Sequence, residues 1–359
     1  MLTPTKQLLL LAEFQKFITA SKTGRRLMPS GKKIRVGTLE QYHCVYLLLN
    51  EFQQSQEIPI RIQLLTKNSL RLIQKEKLYW SRFFKNFSTF LYKQKKCFDQ
   101  YTGTVFKVLK TFFNYLLKEK CLPVGEFHSQ FRIPTENSNP VVLSPAQLKF
   151  LITNTAFEAS LPKHLQRTKD IFIFGCTVGL RYQDLMRLKQ QHIQFTDAGV
   201  NIILHTQKTG TEVTIPLPDY AVAIFNKYKK KAGNYVLPRL SSTNLNLQLK
   251  ELIKKAGWNY NFPKIKQRQG EPIEIKNNNG KVYKFYEHIT VHTMRRTAIT
   301  SLLLLGVDEN SVRKISGHAA GSKEFYRYVI IVQDYLNAQV KRAHMKLLMT
   351  EEDFTQKAA

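Results

Sequence analysis

Acidic residues are scarce in this chain: 26 Asp and Glu stand against 55 Lys and Arg in 359 residues, a formal net charge of +29. The excess is spread along the length rather than gathered in a tail. It repels itself in a compact state and calls for a polyanionic partner, with DNA or RNA the first expectation. Cysteine is scarce too. Cys44, Cys97, Cys121 and Cys176 show neither CxxC nor metal-ligand spacing, which argues against a disulfide framework or a zinc site and for reduced thiols in a reducing compartment. Long apolar runs are missing: the segment Leu8 to Leu11 is too brief for a secretion signal or a membrane span and reads as the inner face of a first helix. There is no cationic amphipathic anchor and no internal repeat. A cytoplasmic, non-exported protein is expected.

What is present organises into two parts, and the length suits two domains with a core each. Apolar positions over 7–21 predict a first helix, and the basic loop Lys22 to Arg35 follows. Thr38 and Gln41 have capping-box spacing and start a second helix carrying Tyr42, Val45, Leu49 and Phe52. After IPIRIQLL, an extended segment, Trp80, Phe83, Phe84, Phe87 and Leu91 mark a third helix. Val105, Val108, Leu109, Phe112 and Leu116 mark a fourth. These aromatic stripes read as bundle core rather than base-stacking platforms. The outward Arg82, Lys85, Lys93, Lys95, Lys96, Lys107 and Lys110 suit a surface along a phosphate backbone.

The stretch Pro134 to Pro140 (PTENSNP) reads as a linker. Ser144, Pro145 and Gln147 then supply an N-cap, a proline at the first helical position and a capping-box partner. The domains expected are a helical DNA-binding module over 1–133, a linker over 134–143, a second domain over 144–350 and a tail over 351–359. The second domain holds helices near 145–154, 168–178, 219–231 and 243–256, and strands VNIILHT and TEVTIPL with Lys208 at the tip of their turn. A further hairpin is expected between Pro263 and Thr290 with Asn279 and Gly280 in its turn, and a last amphipathic helix over 332–349. The fold class is mainly α with small β-hairpins.

Candidate chemistry concentrates between Val291 and Val329. His292 and Arg295, at i and i+3, stand on one helix face and reach one small anionic group. His318 follows the Gly317 turn, and Tyr326 and Tyr328 come next. A phenol attacks phosphorus when cationic groups hold the ester and absorb the developing charge, so covalent chemistry on a phosphodiester is the reaction class. With Arg181 at the mouth of RYQDLMRL, the candidates in chain order are Arg181, Lys208, His292, Arg295, His318 and Tyr328.

At this point the chain resembles the tyrosine recombinase (phage integrase) family. VGLRYQDLMRL is similar to its first arginine box and HTQKTGTEVTIPL to its catalytic-lysine hairpin. VHTMRRT is similar to its HxxR box, ISGH to its Gly-His box and KEFYRYV to its nucleophile segment, in the family's order. The resemblance implies an all-helical core-binding domain and a catalytic domain that clamp double-stranded DNA. Arg181, Arg295, His292 and His318 would hold the scissile phosphate. Lys208 would protonate the leaving 5′ oxygen and Tyr328 would form a 3′-phosphotyrosyl bond. Neither ATP, metal nor another cofactor is then required.

Four subunits on two synapsed duplexes, and accessory DNA-bending proteins, would be the partners in integrating or excising a mobile element. Tyr326 is the alternative nucleophile. A type IB topoisomerase and a catalytically inactive DNA-binding relative are the alternative functions, and a metal-dependent nuclease is disfavoured for want of acidic ligands. Three departures from the family stand out. A separate arm-binding domain ahead of the first helix is not expected. The insert between Gly257 and His292 is basic (Lys264, Lys266, Arg268, Lys276, Lys281, Lys284) and either adds DNA contacts or lengthens a hairpin. The last helix packs on its own domain or on a neighbouring subunit.

Overall fold

The aromatic residues at helical period become helices whose inner faces close on one another. In a computed structural model the chain divides into two units, residues 1–138 with 265–275, and residues 139–264 with 276–359. The residues described are 7–65, 70–136, 140–197, 199–207 and 210–318, then 321–322, 325–326, 328, 337, 340–341 and 344–345. Lys208 and most of the helix expected over 332–349 lie outside them, as do 137–139 of the expected linker. Among the described residues no helix is long and apolar enough to cross a membrane.

The first unit is built from α1 (Leu10–Thr23), α2 (Val36–Gln56), α3 (Leu70–Thr89) and α4 (Asp99–Asn114), with α3 and α4 each running on into a π-helical turn. Trp80, Phe83, Phe87, Phe106, Phe112 and Phe113 are buried together, so the stripes are core. Trp80 meets Phe83 and Phe113 edge-on, with centroids 5.3 and 4.9 Å apart. Such pairs contribute about 0.5–1.5 kcal/mol each beyond simple burial. Arg82, Lys85, Lys93, Lys95, Lys96 and Lys107 are exposed, whereas Lys110 is half-buried and donates to the Ser129 carbonyl at 3.3 Å.

Two local expectations are corrected here. Residues 7–9 form a strand, β1 (Gln7–Leu9), rather than helix, because they pair antiparallel with β2 (Arg61–Gln63). α2 begins at Val36, ahead of Thr38, and has no side-chain cap; Thr38 N and Leu39 N donate instead to the Arg35 carbonyl.

The second unit opens with α5 (Pro145–Thr153), held at its start by the expected reciprocal bonds between Ser144 and Gln147 at 2.9 and 3.2 Å. α6 (Thr155–Ser160), α7 (Lys163–Val178) and the one-turn α8 (Tyr182–Leu185) follow. A three-stranded antiparallel sheet orders β3 (Ile193–Thr196), β4 (Gly199–His205) and β5 (Glu212–Leu217). The edge strand β3 was not anticipated; only its first residue is buried, so it lacks the alternation that marks a strand. After α9 (Asp219–Tyr228) and α10 (Ser242–Lys255) comes the insert, with β6 (Lys264–Arg268) and β7 (Glu271–Ile275). Then α11 (Val291–Leu304) and α12 (Glu309–Ser316) complete the described fold. α7 is buried on nearly every face and crosses α11 at Gly175, where a Cβ would collide with the Met294 sulfur. That close crossing sets the register between the two helices that carry the site.

Besides the expected turn at Asn279 and Gly280, the insert has an unexpected one at Gln269 and Gly270, between β6 and β7. Both turn residues have positive φ, 56° and 85°, as a two-residue hairpin turn of this hand requires. Their N–H groups each donate at 2.8 Å to the two oxygens of the buried Asp99 carboxylate, which also accepts from the Tyr92 hydroxyl at 2.7 Å. Lys266 and Arg268 lie over the Phe98 ring, each 4.7 Å from its centroid, and Lys264 lies 4.8 Å over Tyr283. Half of the basic residues singled out in the insert therefore rest on protein rings. Asn279 and Gly280 form a second tight turn, closed by the bridge between Lys276 and Val282.

Candidate active site

Gly179 ends α7 in the left-handed conformation, and its carbonyl, left without a helical partner, accepts from Arg295 Nη1 at 2.9 Å. Two residues on, the chain presents Arg181 as the residue preceding α8. Arg181 is half-buried, with Nη1 enclosed and without a hydrogen-bond partner. The ion pair with Asp184 that would make Arg181 an ordinary surface arginine is not formed. The buried Asp184 carboxylate instead accepts from Gln207 N at 2.9 Å, fastening α8 to the base of the β4–β5 hairpin. That hairpin closes through Thr206 N to the Thr211 carbonyl at 2.9 Å and Gly210 N to the Thr206 carbonyl at 2.8 Å.

α11 is pinned at its start by reciprocal bonds between Thr290 and Thr293 and by Val291 N donating to Asn246 Oδ1 at 2.8 Å. One turn in, Arg295 is only 6% exposed. Burial first, and the charge of Arg181 second, pull its guanidinium down to about 10, against the opposite influence of Tyr328 and Asp184. It remains charged at neutral pH. His292, on the preceding turn, is exposed; protein packed beside the ring, then the charges of Arg296 and Arg295, hold its imidazole below the ordinary histidine value.

Gly317 ends α12 at φ 62° and abuts the hairpin base, where a Cβ would come within 3.3 Å of Val213 and 3.4 Å of Thr206. The turn sets His318 beside Arg295, with Nη2 3.1 Å from Nε2. The same Nη2 is 3.3 Å from Nδ1, which also lies 2.8 Å from Ser316 Oγ. Tyr328 is half-buried with its ring centroid 6.0 Å from that of His318, and its hydroxyl is near enough to Arg295 to raise that group's pKa. Tyr326 is 48% exposed and lies against Arg313.

Four of the six expected residues are thus linked through Arg295: Arg181 by its charge, His318 by contact, and Tyr328 by hydrogen bonding and charge. His292 stands one turn away on the same helix. Lys208 lies outside the described residues. The parts that Asp184 and Ser316 play in orienting the hairpin and His318 were not foreseen; both lie inside quoted motifs, but nothing in the sequence shows what they bond to.

A family model for phage integrases matches residues 142–331, more than half of the chain and a span that includes these six positions. The chain belongs to the tyrosine recombinase (phage integrase) family. No curated protein matches it. Among solved structures, a lambda integrase dimer bound to a COC′ core site is similar over 90% of this chain and 77% of that one, with TM-score 0.58 and 14% identity. The Tn1549 transposon integrase in complex with circular intermediate DNA is similar over 89% and 95%, with TM-score 0.55 and 15% identity. A lambda integrase tetramer bound to a Holliday junction gives 88% and 79%, TM-score 0.54 and 14% identity. At these identities the likeness is one of fold: mainly helical, with small antiparallel sheets.

Proposed function

We propose that this integrase-family chain is a site-specific DNA recombinase that cuts and rejoins DNA through a 3′-phosphotyrosyl intermediate on Tyr328. The phenol oxygen attacks the scissile phosphorus, the bond from phosphorus to the 5′ oxygen breaks, and the ester is conserved in the new bond. His292, kept neutral, accepts the phenol proton, and Lys208 supplies one to the departing oxygen. Arg181 and Arg295 present planar forks to the nonbridging oxygens, with His318 as a further donor. Ligation is the reverse reaction with another 5′ hydroxyl, so ATP and metal have no step to perform.

One observation carries the reading. Two arginines, one buried and one with an enclosed unpartnered nitrogen, sit with a histidine and a tyrosine, and neither is ion-paired to a carboxylate among the described residues. A cradle of uncompensated cations fits a phosphodiester. The net charge of +29 supports duplex DNA as the partner. The lambda integrase tetramer on a Holliday junction supports assembly of four subunits on two duplexes, and the Tn1549 transposon complex supports a mobile-element setting.

The test is to incubate the full chain with duplex fragments tiling the DNA that flanks its own gene, and to look for SDS-resistant adducts. Tyr328→Phe is expected to abolish the adduct and leave binding intact. An adduct that survives in Tyr328→Phe and disappears in Tyr326→Phe would move the nucleophile. Adducts at many unrelated sequences, with supercoils relaxed by a monomer, would replace the recombinase with a topoisomerase.

A further inference from the structure

We infer that Arg313, a residue in none of the recognised motifs, is a positioning residue for Tyr328. The inference rests on Tyr328 being the nucleophile. Arg313 lies in the last turn of α12 and is 8% exposed. Its guanidinium carbon stands 4.0 Å over the centroid of the Phe325 ring and 4.9 Å over that of Tyr326. Its carbonyl accepts from His318 N at 3.0 Å. One residue therefore holds the backbone of His318 with one end and, with the other, two rings that closely precede the nucleophile.

Phe325 transmits that hold. It is fully buried in a small cluster with Ile299, Leu303 and Val312, against which Tyr328 packs. Its ring meets His318 edge-on at 5.4 Å and Tyr328 at 6.4 Å between centroids. The electrostatics of Arg313 do not look like those of a residue kept for stability. Nη1 is buried without a hydrogen-bond partner, and its ion pair with Glu309 is long at 3.5 Å. A methionine would fill the same volume without burying a poorly compensated charge. What the guanidinium adds is a flat cationic face that two aromatic rings can stack against, which fixes their direction. A phenol aimed wrongly by about 1 Å loses about a hundredfold in attack rate, so such an anchor acts on the chemical step.

The experiment uses the full chain and a nicked duplex carrying whichever sequence is trapped from the flanking DNA. Arg313→Met is expected to slow adduct formation by about tenfold to a hundredfold with duplex binding unchanged, and Arg313→Lys to recover part of the rate. Tyr326→Leu, at an exposed position that puts no fold at risk, is expected to slow it by about threefold. The same Arg313→Met change is then made in Tyr328→Phe, with hydrogen peroxide supplied so that its anion attacks phosphorus and the 5′ oxygen leaves with a proton. Peroxide cleavage unaffected by Arg313→Met supports the inference, because the cradle is then intact and only the internal nucleophile was misplaced. Equal slowing of both reactions overturns it and makes Arg313 part of the phosphate cradle. A normal adduct rate in Arg313→Met also overturns it. A wild-type chain that forms no Tyr328-dependent adduct overturns the proposed function itself, a result distinct from either.

Discussion

Lys169 and Arg295 are both buried cations of the second unit, and their surroundings treat the charge in opposite ways. Lys169, 3% exposed, donates to the Leu151 carbonyl at 3.2 Å and pairs with Glu158 at 3.2 Å and Asp170 at 3.8 Å. Lys227 joins the same carboxylates at 3.1 and 2.7 Å, and the Tyr228 hydroxyl donates to Asp170 at 2.8 Å. Burial would raise the Glu158 pKa, but the bonds and charges of Lys227 and Lys169 outweigh it and hold Glu158 below the ordinary value. Both lysines there have anions. Around Arg295 the nearest charge of consequence is another cation, Arg181, and the one acid at hand, Asp184, is engaged by Gln207 N. The first cluster is complete without a ligand. The second leaves its cations uncompensated, which is what the proposed phosphate site would require.

The largest effect that would break this contrast is on the structural side. Lys169→Met leaves the buried Asp170 and the half-buried Glu158 to Lys227 alone, and a loss of about 3 kcal/mol in unfolding free energy is expected. Chemical denaturation measures it, and adduct formation by the folded fraction should stay as in wild type. Little loss of stability would mean that the network is not what balances Lys169.

Arg181→Met should do the reverse. Adduct formation falls by about a hundredfold, as when one transition-state donor is removed. The melting temperature holds or rises, because an uncompensated cation has gone. Sulfate should raise the melting temperature of wild type and lose that effect in the variant; equal stabilisation of both would show that the anion binds elsewhere.

The smallest effect is in the pH profile. His292 titrates below the ordinary histidine value and accepts a proton only when neutral, so adduct formation should persist at about pH 6.5 and fail only in more acid solution. His292→Gln should remove that acid limb. A limb centred at or above about pH 6.5 would contradict either the lowered pKa or the role.

Much of the site was legible because its chemistry is carried by residue types that have few substitutes. A planar fork, an imidazole and a phenol at recognisable spacings are visible before any folding is considered. The Ser144 capping box was legible for a related reason: its two hydrogen bonds span only three residues. What could not be read depended on partners far apart in the chain. β1 pairs with a strand more than fifty positions later, and its apolar residues fit a helix equally well. The strands of the insert meet at Gln269 and Gly270, a turn that was not foreseen, while the better local signal at Asn279 and Gly280 closes a single bridge. Asp99, far away in sequence, takes both amide hydrogens of the earlier turn, and tertiary hydrogen bonds to a buried carboxylate outweigh a local preference. The same hairpin shows why a count of lysines says little about DNA contact, since Lys264, Lys266 and Arg268 lie over aromatic rings.

By itself the sequence determined the class of partner and the list of reactive groups, because net charge and side-chain chemistry belong to the residues wherever they are placed. Only the tertiary structure decided which tyrosine stands by Arg295, which carboxylate is withheld from the arginines, and that Arg313 stacks on the rings ahead of Tyr328. Each of these is a distance between residues remote in the chain, and such distances exist only once α7, α11 and α12 have packed.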